Sequence, residues 1–192
     1  RRHYDRLVSI QDMKAFQAPG GRRQGGLIGS DFLLDYTVVF DREKSQIIVS
    51  EKEAPLARGM RPYRMQLDGG IPTVEVFFNG ASSPLWATFD TGSGYARERL
   101  VYLEVGQKLA RQLLGPRLDQ PPVEKATVVS LAGKVELPIY DYGHVRLLGK
   151  DFESVRLVVH QDGFGTFARD GEILVSGSLL NQFSRIEIDY PN

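Results

Sequence analysis

The chain of 192 residues has no cysteine, no excess charge of either sign and no long apolar run. Without cysteine it can form neither disulfides nor zinc–thiolate sites, and it has no thiol nucleophile. Lys plus Arg and Asp plus Glu both total 24, so the formal net charge is zero. Nucleic acid and anionic membranes call for a basic face, so we expect neither as a partner. No apolar run approaches the roughly 20 residues that span a bilayer, yet 42% of the residues are hydrophobic, which suffices for a packed core.

Several residue patterns that carry chemistry in other proteins are also missing. The histidines are His3, His144 and His160, and no Gly-x-Ser-x-Gly elbow accompanies them, so a Ser-His-Asp hydrolase is not indicated. No spacing of His, Asp and Glu is typical of a metal site, and we expect neither metal nor cofactor. The segments "DGGIP" (68–72) and "DGFG" (162–165) lack the Lys and helix of a phosphate loop and are interpreted as turns.

Short segments rich in β-branched and aromatic residues predict an all-β fold. Two hairpins are predicted, one pairing 37–41 with 45–50 and one pairing 72–80 with 84–90. The second turns at Asn79-Gly80, a strong tight-turn dipeptide. Further strands are predicted at 126–131, 134–140, 144–148, 154–160 and 184–190, helices at 98–116 and 178–183, and a surface loop at 115–122.

The chain contains an internal repeat. "RLVSIQD" (6–12) matches "RLVVHQD" (156–162), and "LIGSDFLLDYTVVFD" (27–41) parallels "LVSGSLLNQFSRIEID" (174–189). In each copy a Gly-Ser pair precedes an Asp by the same interval, Gly29 to Asp41 (41 − 29) and Gly177 to Asp189 (189 − 177). The repeat predicts three regions: residues 1–50 are the back half of a first lobe whose front half is absent, 51–62 are a linker, and 63–192 are a complete second lobe.

The most chemically suggestive stretch is "FDTGSG" (89–94), which places Asp90 after a hydrophobic strand. Two carboxylates that share one proton can hydrolyse a peptide bond, one as base toward water and one as acid toward the carbonyl. Gly92 permits a tight turn and a close approach of substrate backbone. We expect the Thr91 hydroxyl to bind across to a second catalytic loop and the Ser93 hydroxyl to orient the Asp90 carboxylate.

The motif and its surroundings resemble the retropepsin-like and pepsin-like aspartic peptidases. In these families a hairpin precedes the motif and a glycine-bearing flap hairpin follows, which "TVVSLAGKVELPIY" (127–140) matches. The lobe ends with two hydrophobic residues and a Gly, a short helix, and a strand closing on Asp, as in 173–190 and again in 26–41. The resemblance covers about 63–190 and implies a retropepsin-like acid protease lobe, all-β with a flap and one or two short helices.

The resemblance also implies a function and a site. Asp90 would be catalytic, and the substrate-binding residues would be Thr91, Gly92, Ser93 and Gly94 of the motif with Leu131, Ala132 and Gly133 at the flap tip. The partner would be a peptide or protein substrate. The second acid would come from an upstream lobe of the same gene product, which the repeat favours, or from a homodimer. The alternative function is a catalytically inactive peptide-binding or scaffold module.

Three smaller expectations concern single residues and the location of the protein. Ser176 in "LVSG" departs from the hydrophobic-hydrophobic-Gly pattern and is expected to loosen packing beneath the catalytic loop. Trp86 is interpreted as a core residue. The start "RRHYDRLVSI" has no signal-peptide pattern, but the missing front half leads us to expect that Arg1 is not the natural N-terminus. We expect a periplasmic or secreted location, with the cytoplasm as the alternative.

Overall fold

The computed structural model describes most of the chain, and the predicted all-β class is confirmed in these residues. The described residues are 28–51, 59–79, 81–94, 100–130, 133–161 and 172–191. Their strands are β1 (Thr37–Asp41), β2 (Gln46–Ser50), β3 (Met65–Asp68), β4 (Ile71–Phe78), β5 (Leu85–Asp90), β6 (Val101–Gly106), β7 (Glu124–Ser130), β8 (Gly133–Leu147), β9 (Lys150–His160), β10 (Ile173–Ser176) and β11 (Arg185–Asp189). Their helices are α1 (Ser30–Leu33), α2 (Gln107–Leu114) and two 3-10 helices, Gly115–Asp119 and Gly177–Gln182.

Eight strands form the main sheet, in the order β3-β4-β5-β10-β6-β9-β8-β7. An additional pairing of β4 with β8 joins the two sides and closes the central strands into a barrel. β10 lies between β5 and β6, parallel to the first and antiparallel to the second. The core inside is made of fully buried side chains: Val76, Ala87, Leu103, Val105, Val145, Leu157, Val175 and Leu179.

Three strands form a second, smaller sheet, the tail sheet, in the order β11-β1-β2. β1 pairs with β11 antiparallel, with Thr37 opposite Asp189 and Val39 opposite Glu187. The Thr37 hydroxyl donates to Asp189 Oδ1 at 3.2 Å. Val38 of β1 and Ile186 and Ile188 of β11 pack into the same core as the main sheet. The tail sheet is therefore joined to the barrel by apolar burial.

The predicted helix at 98–116 is wrong in its first half. Residues 101–105 are all buried and form most of β6, and only Gln107–Leu114 is α-helical. A strand covered on both faces carries a continuous apolar run, which sequence periodicity does not separate from a buried helix. The helix ends where predicted, at Gly115, whose φ of +55° suits glycine. Among the described residues no helix has the length and apolar character to cross a membrane.

Most other predicted elements are confirmed with shifted bounds. The two predicted hairpins are present as β1–β2 and β4–β5. The predicted strands 134–140 and 144–148 are one long strand, β8, irregular around Gly143 with its φ of +112°. The predicted helix at 178–183 is the 3-10 helix Gly177–Gln182, and the loop at 115–122 contains another. The predictions for residues 1–27, for linker residues 52–58, for the "DGFG" turn and for Leu131 and Ala132 fall outside the described residues.

Candidate active site

Asp90 is the last residue of β5, and the alternation of that strand sets its direction. Ala87 and Phe89 are buried in the core, whereas Trp86, Thr88 and Asp90 lie on the opposite face and are half-buried. Successive side chains of a strand point to opposite faces, so the carboxylate leaves the barrel wall on the face away from the core. The expectation for Trp86 is wrong, because its ring lies on this outer face with the Arg64 guanidinium 5.8 Å from its centroid.

The turn after β5 holds one oxygen of the Asp90 carboxylate. The backbone N–H of Gly92 donates to Asp90 Oδ1 at 2.8 Å. A Cβ on residue 92 would lie 3.3 Å from that oxygen, so glycine keeps the turn tight. Within the described residues Oδ2 has no hydrogen-bond partner. One oxygen is therefore oriented by the protein while the other is open to water or substrate.

Ser93 contacts the main chain of the turn, not the carboxylate that was expected. Its hydroxyl donates to the backbone carbonyl of Asp90 at 3.2 Å. The carbonyl and hydroxyl oxygens of Ser93 both accept from the backbone N–H of Gly177, at 2.9 and 3.3 Å. Thr91 is exposed, and its hydroxyl has no partner in the part of the chain that the structure describes. Ser93 thus fixes the turn, and Thr91 is available to a partner.

Gly177 lies directly beneath the turn. β10 runs parallel to β5 with Ser176 opposite Asp90, so the chain reaches Gly177 beside the turn that follows β5. A Cβ on residue 177 would lie 2.5 Å from the carbonyl oxygen of Ser93 and 2.8 Å from that of Thr91. Both are backbone atoms that cannot move without moving the turn, so this contact requires glycine.

Ser176 does not loosen this packing, contrary to expectation. Its side chain is fully buried, and its hydroxyl oxygen lies 2.5 Å from that of Ser178. The Ser178 hydroxyl in turn accepts from the backbone N–H of Tyr102 at 3.2 Å. Buried hydroxyls with partners carry little penalty. The two serines therefore join β10, the 3-10 helix after it and β6.

The predicted flap hairpin is present as β7 and β8, with Ser130 opposite Gly133. Gly133 begins β8, while Leu131 and Ala132, predicted at the tip, lie outside the described residues. One side of the hairpin is apolar and packs against Tyr102 of β6; its members are Ala126, Val128, Val135 and Leu137. The register from β5 through β10 to β6 puts Tyr102 on the same sheet face as Asp90. The hairpin therefore covers the face that carries the carboxylate.

Sequence reasoning missed a buried polar pair on that face. Glu104 of β6 and His160 of β9 are each 6% exposed, with His160 Nε2 2.6 Å from Glu104 Oε2. The available signal was a single Glu within the apolar run "VYLEVG". His144, predicted at the surface, is partly exposed and lies 2.8 Å from Asp151. In the described ranges no group of three or more His, Cys, Asp or Glu side chains could hold a metal ion.

Comparison with known proteins relates the chain to solved structures alone. No family model and no curated protein matches the chain. Among solved structures, the chain is similar to the crystal structure of a retropepsin-like aspartic protease from Rickettsia conorii, with 18% identical residues and a TM-score of 0.42. The match covers 68% of this chain and 91% of that chain.

Proposed function

We propose that the protein is an aspartic endopeptidase in which Asp90 is one member of the catalytic dyad. The observation that carries the proposal is the environment of Asp90. Its carboxylate lies at a strand end on a partly exposed face, with one oxygen held by the Gly92 N–H and the other open. The turn that carries it rests on Gly177, a contact that leaves no room for a side chain.

The chemistry needs a second carboxylate beside Asp90. Two carboxyl groups about 3 Å apart share one proton, because both cannot ionise at that distance. The ionised one takes a proton from water, whose oxygen attacks the peptide carbonyl carbon. The protonated one donates to the carbonyl oxygen. When the C–N bond breaks, a proton passes to the leaving amine, so one water is consumed and two peptide ends are formed.

The substrate would be an extended peptide lying between the flap hairpin and the catalytic turn. Such a peptide binds through its backbone as an added strand. Thr91, Gly92 and Gly94 are exposed on the turn, as substrate contact requires. We propose these residues with Ser93, and Leu131, Ala132 and Gly133 on the flap, as the substrate-binding set. A periplasmic or secreted location also remains a proposal, with which the absence of cysteine is compatible.

The second acid would come from an upstream lobe of the same gene product. The alternative is a homodimer in which each copy supplies Asp90. A symmetric dimer built on the last strand would pair β11 with its copy about a two-fold axis. Here one edge of β11 is already paired with β1 of the same chain over five residues. Pairing of β11 with its copy along that edge would have to displace β1, whereas the other edge of β11 is the end of the described sheet. The internal repeat, not the sheet, is what favours the upstream lobe.

The test is cleavage of a peptide library at acidic to neutral pH by the intact gene product and its Asp90→Asn variant. We expect the substitution to lower the rate by roughly 10²–10⁴-fold or more, since the ionisable group is lost while the shape is kept. Asp119→Asn is the matched control, because Asp119 is an exposed acid paired with Arg111 on the surface. An Asp90→Asn protein that cleaves as fast as the parent would contradict the assignment of Asp90 as a catalytic residue.

The rival function is a lobe that binds peptides without cleaving them. It predicts that the parent binds library peptides, cleaves none and does not bind a pepstatin-like inhibitor. A second Asp-(Thr/Ser)-Gly in the coding region upstream of Arg1 would favour the peptidase, and its absence would favour the binding module or a homodimer.

A further inference from the structure

The flap hairpin leaves the barrel at two residues that lie close together. β7 pairs with β8 and, among the described strands, with no other. β8 begins to pair with β9 at Ile139, so residues 133–138 extend beyond the β8–β9 pair together with β7. A two-stranded hairpin has little stability of its own, so its angle is set where it joins the barrel. We name this place the flap root, formed by Glu124 at the start of β7 and Asp141 on β8.

One guanidinium bridges both strands of the flap root. Arg156 Nε lies 2.6 Å from Asp141 Oδ1, and Arg156 Nη1 lies 3.5 Å from Glu124 Oε2. The side chain of Arg156 is mostly buried, being 14% exposed. The cation thus comes from the barrel strand β9, whereas both anions come from the hairpin. A planar guanidinium bound to carboxylates fixes the direction of a contact as well as its length.

The register of the sheet places this ion cluster on the face that carries Asp90. Arg156 lies opposite Tyr102 on one side and opposite Asp141 on the other. Tyr102 in turn lies on the same face as Asp90. Three strand spacings, roughly 14 Å, separate Arg156 from Asp90 along the sheet. Arg156 therefore acts on the candidate active site through the hairpin and not by contact with the carboxylate.

The two sides of the hairpin carry different interactions. Its apolar side, which includes Val128, packs against Tyr102, a side chain that is 1% exposed. Its other side carries Lys125 and Glu136, an exposed pair 3.5 Å apart across the two strands. This outer pair joins the hairpin to itself, whereas Arg156 joins the hairpin to the barrel. Loss of Arg156 should therefore change the angle of the hairpin, and loss of Lys125 should not.

We propose that Arg156 is a positioning residue that holds the flap hairpin against Tyr102 and thereby sets the affinity of the Asp90 site for peptides. With the guanidinium in place, both strands of the hairpin are bound at the flap root. Without it, the apolar contacts with Tyr102 remain but the direction at the root is no longer fixed. The inference rests on the proposed function, since it assigns to the hairpin the covering of a bound peptide.

The first experiment measures the hairpin and not the chemistry. Val128→Cys places a single thiol on the apolar side of the hairpin, because the chain contains no cysteine. Its rate of reaction with a maleimide is measured alone and together with Arg156→Met, which removes the guanidinium and keeps an unbranched apolar stem. Lys125→Met is the matched control on the hairpin. Val105→Cys, at a fully buried position in the core, reports opening of the barrel.

We expect Arg156→Met to speed the labelling of the Val128→Cys thiol about tenfold, as the loss of a charge-assisted contact implies. It should leave the labelling of Val105→Cys unchanged, and Lys125→Met should change neither rate. Equal acceleration at both thiols would show that the substitution loosens the whole fold, and this would overturn the proposal. An unchanged rate at position 128 would overturn it as well.

Arg156→Lys separates the bridge from the charge. Lysine carries the same charge on a single nitrogen and cannot reproduce the two directed contacts of a guanidinium. We expect the labelling rate of the Val128→Cys thiol in this variant to lie between the rates with Arg156 and with Arg156→Met. A lysine variant that labels as slowly as the protein with Arg156 would contradict the two-strand bridge.

The second experiment is peptide cleavage by the intact gene product without added cysteines. A loosened hairpin weakens the binding of substrate and transition state alike, so Arg156→Met should raise KM about tenfold and change kcat little. A merely structural loss would instead lower kcat through the fraction of folded enzyme and leave KM unchanged. Faster labelling at position 128 with an unchanged KM would overturn the role of Arg156 in substrate affinity.

The two experiments together separate this inference from the proposed function. If the parent cleaves no peptide, the affinity for library peptides replaces KM. Faster labelling and weaker peptide binding in Arg156→Met would then support the positioning role and reject the peptidase. A parent that cleaves peptides, with labelling at position 128 unaffected by Arg156→Met, would support the peptidase and reject the positioning role.

Discussion

The backbone N–H of Gly177 donates to the carbonyl oxygen of Ser93 at 2.9 Å, between residues 84 positions apart in the chain. This bond ties the strand end that carries Asp90 to the start of the 3-10 helix after β10. It exists because β10 is inserted beside β5 in parallel register. The position of the carboxylate thus depends on a glycine that lies far from it in sequence.

Gly177→Ala should destabilise the protein by about 1–3 kcal/mol, the usual range for a side chain forced into a packed site. The new Cβ would lie 2.5 Å from a backbone oxygen, so the turn or the helix must shift. Peptide cleavage should fall with it, because the Asp90 carboxylate moves with the turn. Urea unfolding and the cleavage rate measure the two effects.

Gly29→Ala is the matched control in the parent chain. Among the described residues its Cβ would meet only the Asp31 carboxylate, the end of a side chain and not backbone, so we expect a change within about 0.5 kcal/mol. Equal destabilisation by the two substitutions would show that neither cost comes from the contact with the Asp90 turn.

The buried pair of Glu104 and His160 should show strong energetic coupling. Removing one partner of a buried polar pair leaves the other without its bond and costs about 3–5 kcal/mol. We therefore expect Glu104→Leu and His160→Leu each to destabilise strongly, and the double variant to be more stable than the sum of the two predicts. Urea unfolding of all four proteins gives the coupling. Strict additivity would mean that the 2.6 Å contact contributes no stability.

The turn that carries Asp90 could be predicted from the sequence because its signals are local. The hairpin before Asp90, the alternation of β5 and the Asp-Thr-Gly-Ser string are all contained in residues 72–94. The support of the turn was harder to predict, because β10 has only four residues and its two neighbours, β5 and β6, lie far away in the chain. The sequence wrongly predicts helix for the residues of β6, since burial on both faces removes the alternation that marks a strand. Pairing between segments that are far apart in the chain determines both the support of the Asp90 turn and the strand conformation of β6.

Alkaline pH should destabilise the protein through two buried tyrosines. Burial raises the pKa of Tyr190 above its usual value of 10.0. Burial also raises the pKa of Tyr142, although the Arg117 charge lowers it in part. Below about pH 10 these hydroxyls are neutral in both states and contribute no pH dependence. Above it the unfolded chain releases protons that the folded chain retains, so stability falls as the pH rises.

The measurement is the urea midpoint of the parent and of a Tyr142→Phe, Tyr190→Phe double variant. It is followed between about pH 8 and about pH 11, a range that brackets the tyrosine titration. The double variant should lose less stability over this range, since phenylalanine has no proton to release. A pH dependence as steep as that of the parent would assign the alkaline loss to other groups.

The tail sheet should fold as part of the core of the main sheet, and the single tryptophan provides a reporter for this. Val38 of β1 is 2% exposed and belongs to the same core cluster as Val74 and Phe89. Val38→Ala removes two buried methyl groups and leaves a cavity, which should cost about 2 kcal/mol. Trp86 lies on β5, so its fluorescence follows the main sheet.

If the tail and the sheet unfold together, Val38→Ala shifts the urea transition seen by Trp86 to lower concentration without changing its slope. Ile48→Ala is the control, since Ile48 is 40% exposed on β2 and its loss should move the midpoint little. If Val38→Ala leaves the urea midpoint of the Trp86 transition unchanged, the tail sheet unfolds separately. The antiparallel pairing of β1 with β11 would then not be part of the cooperative unit that holds Asp90 in place.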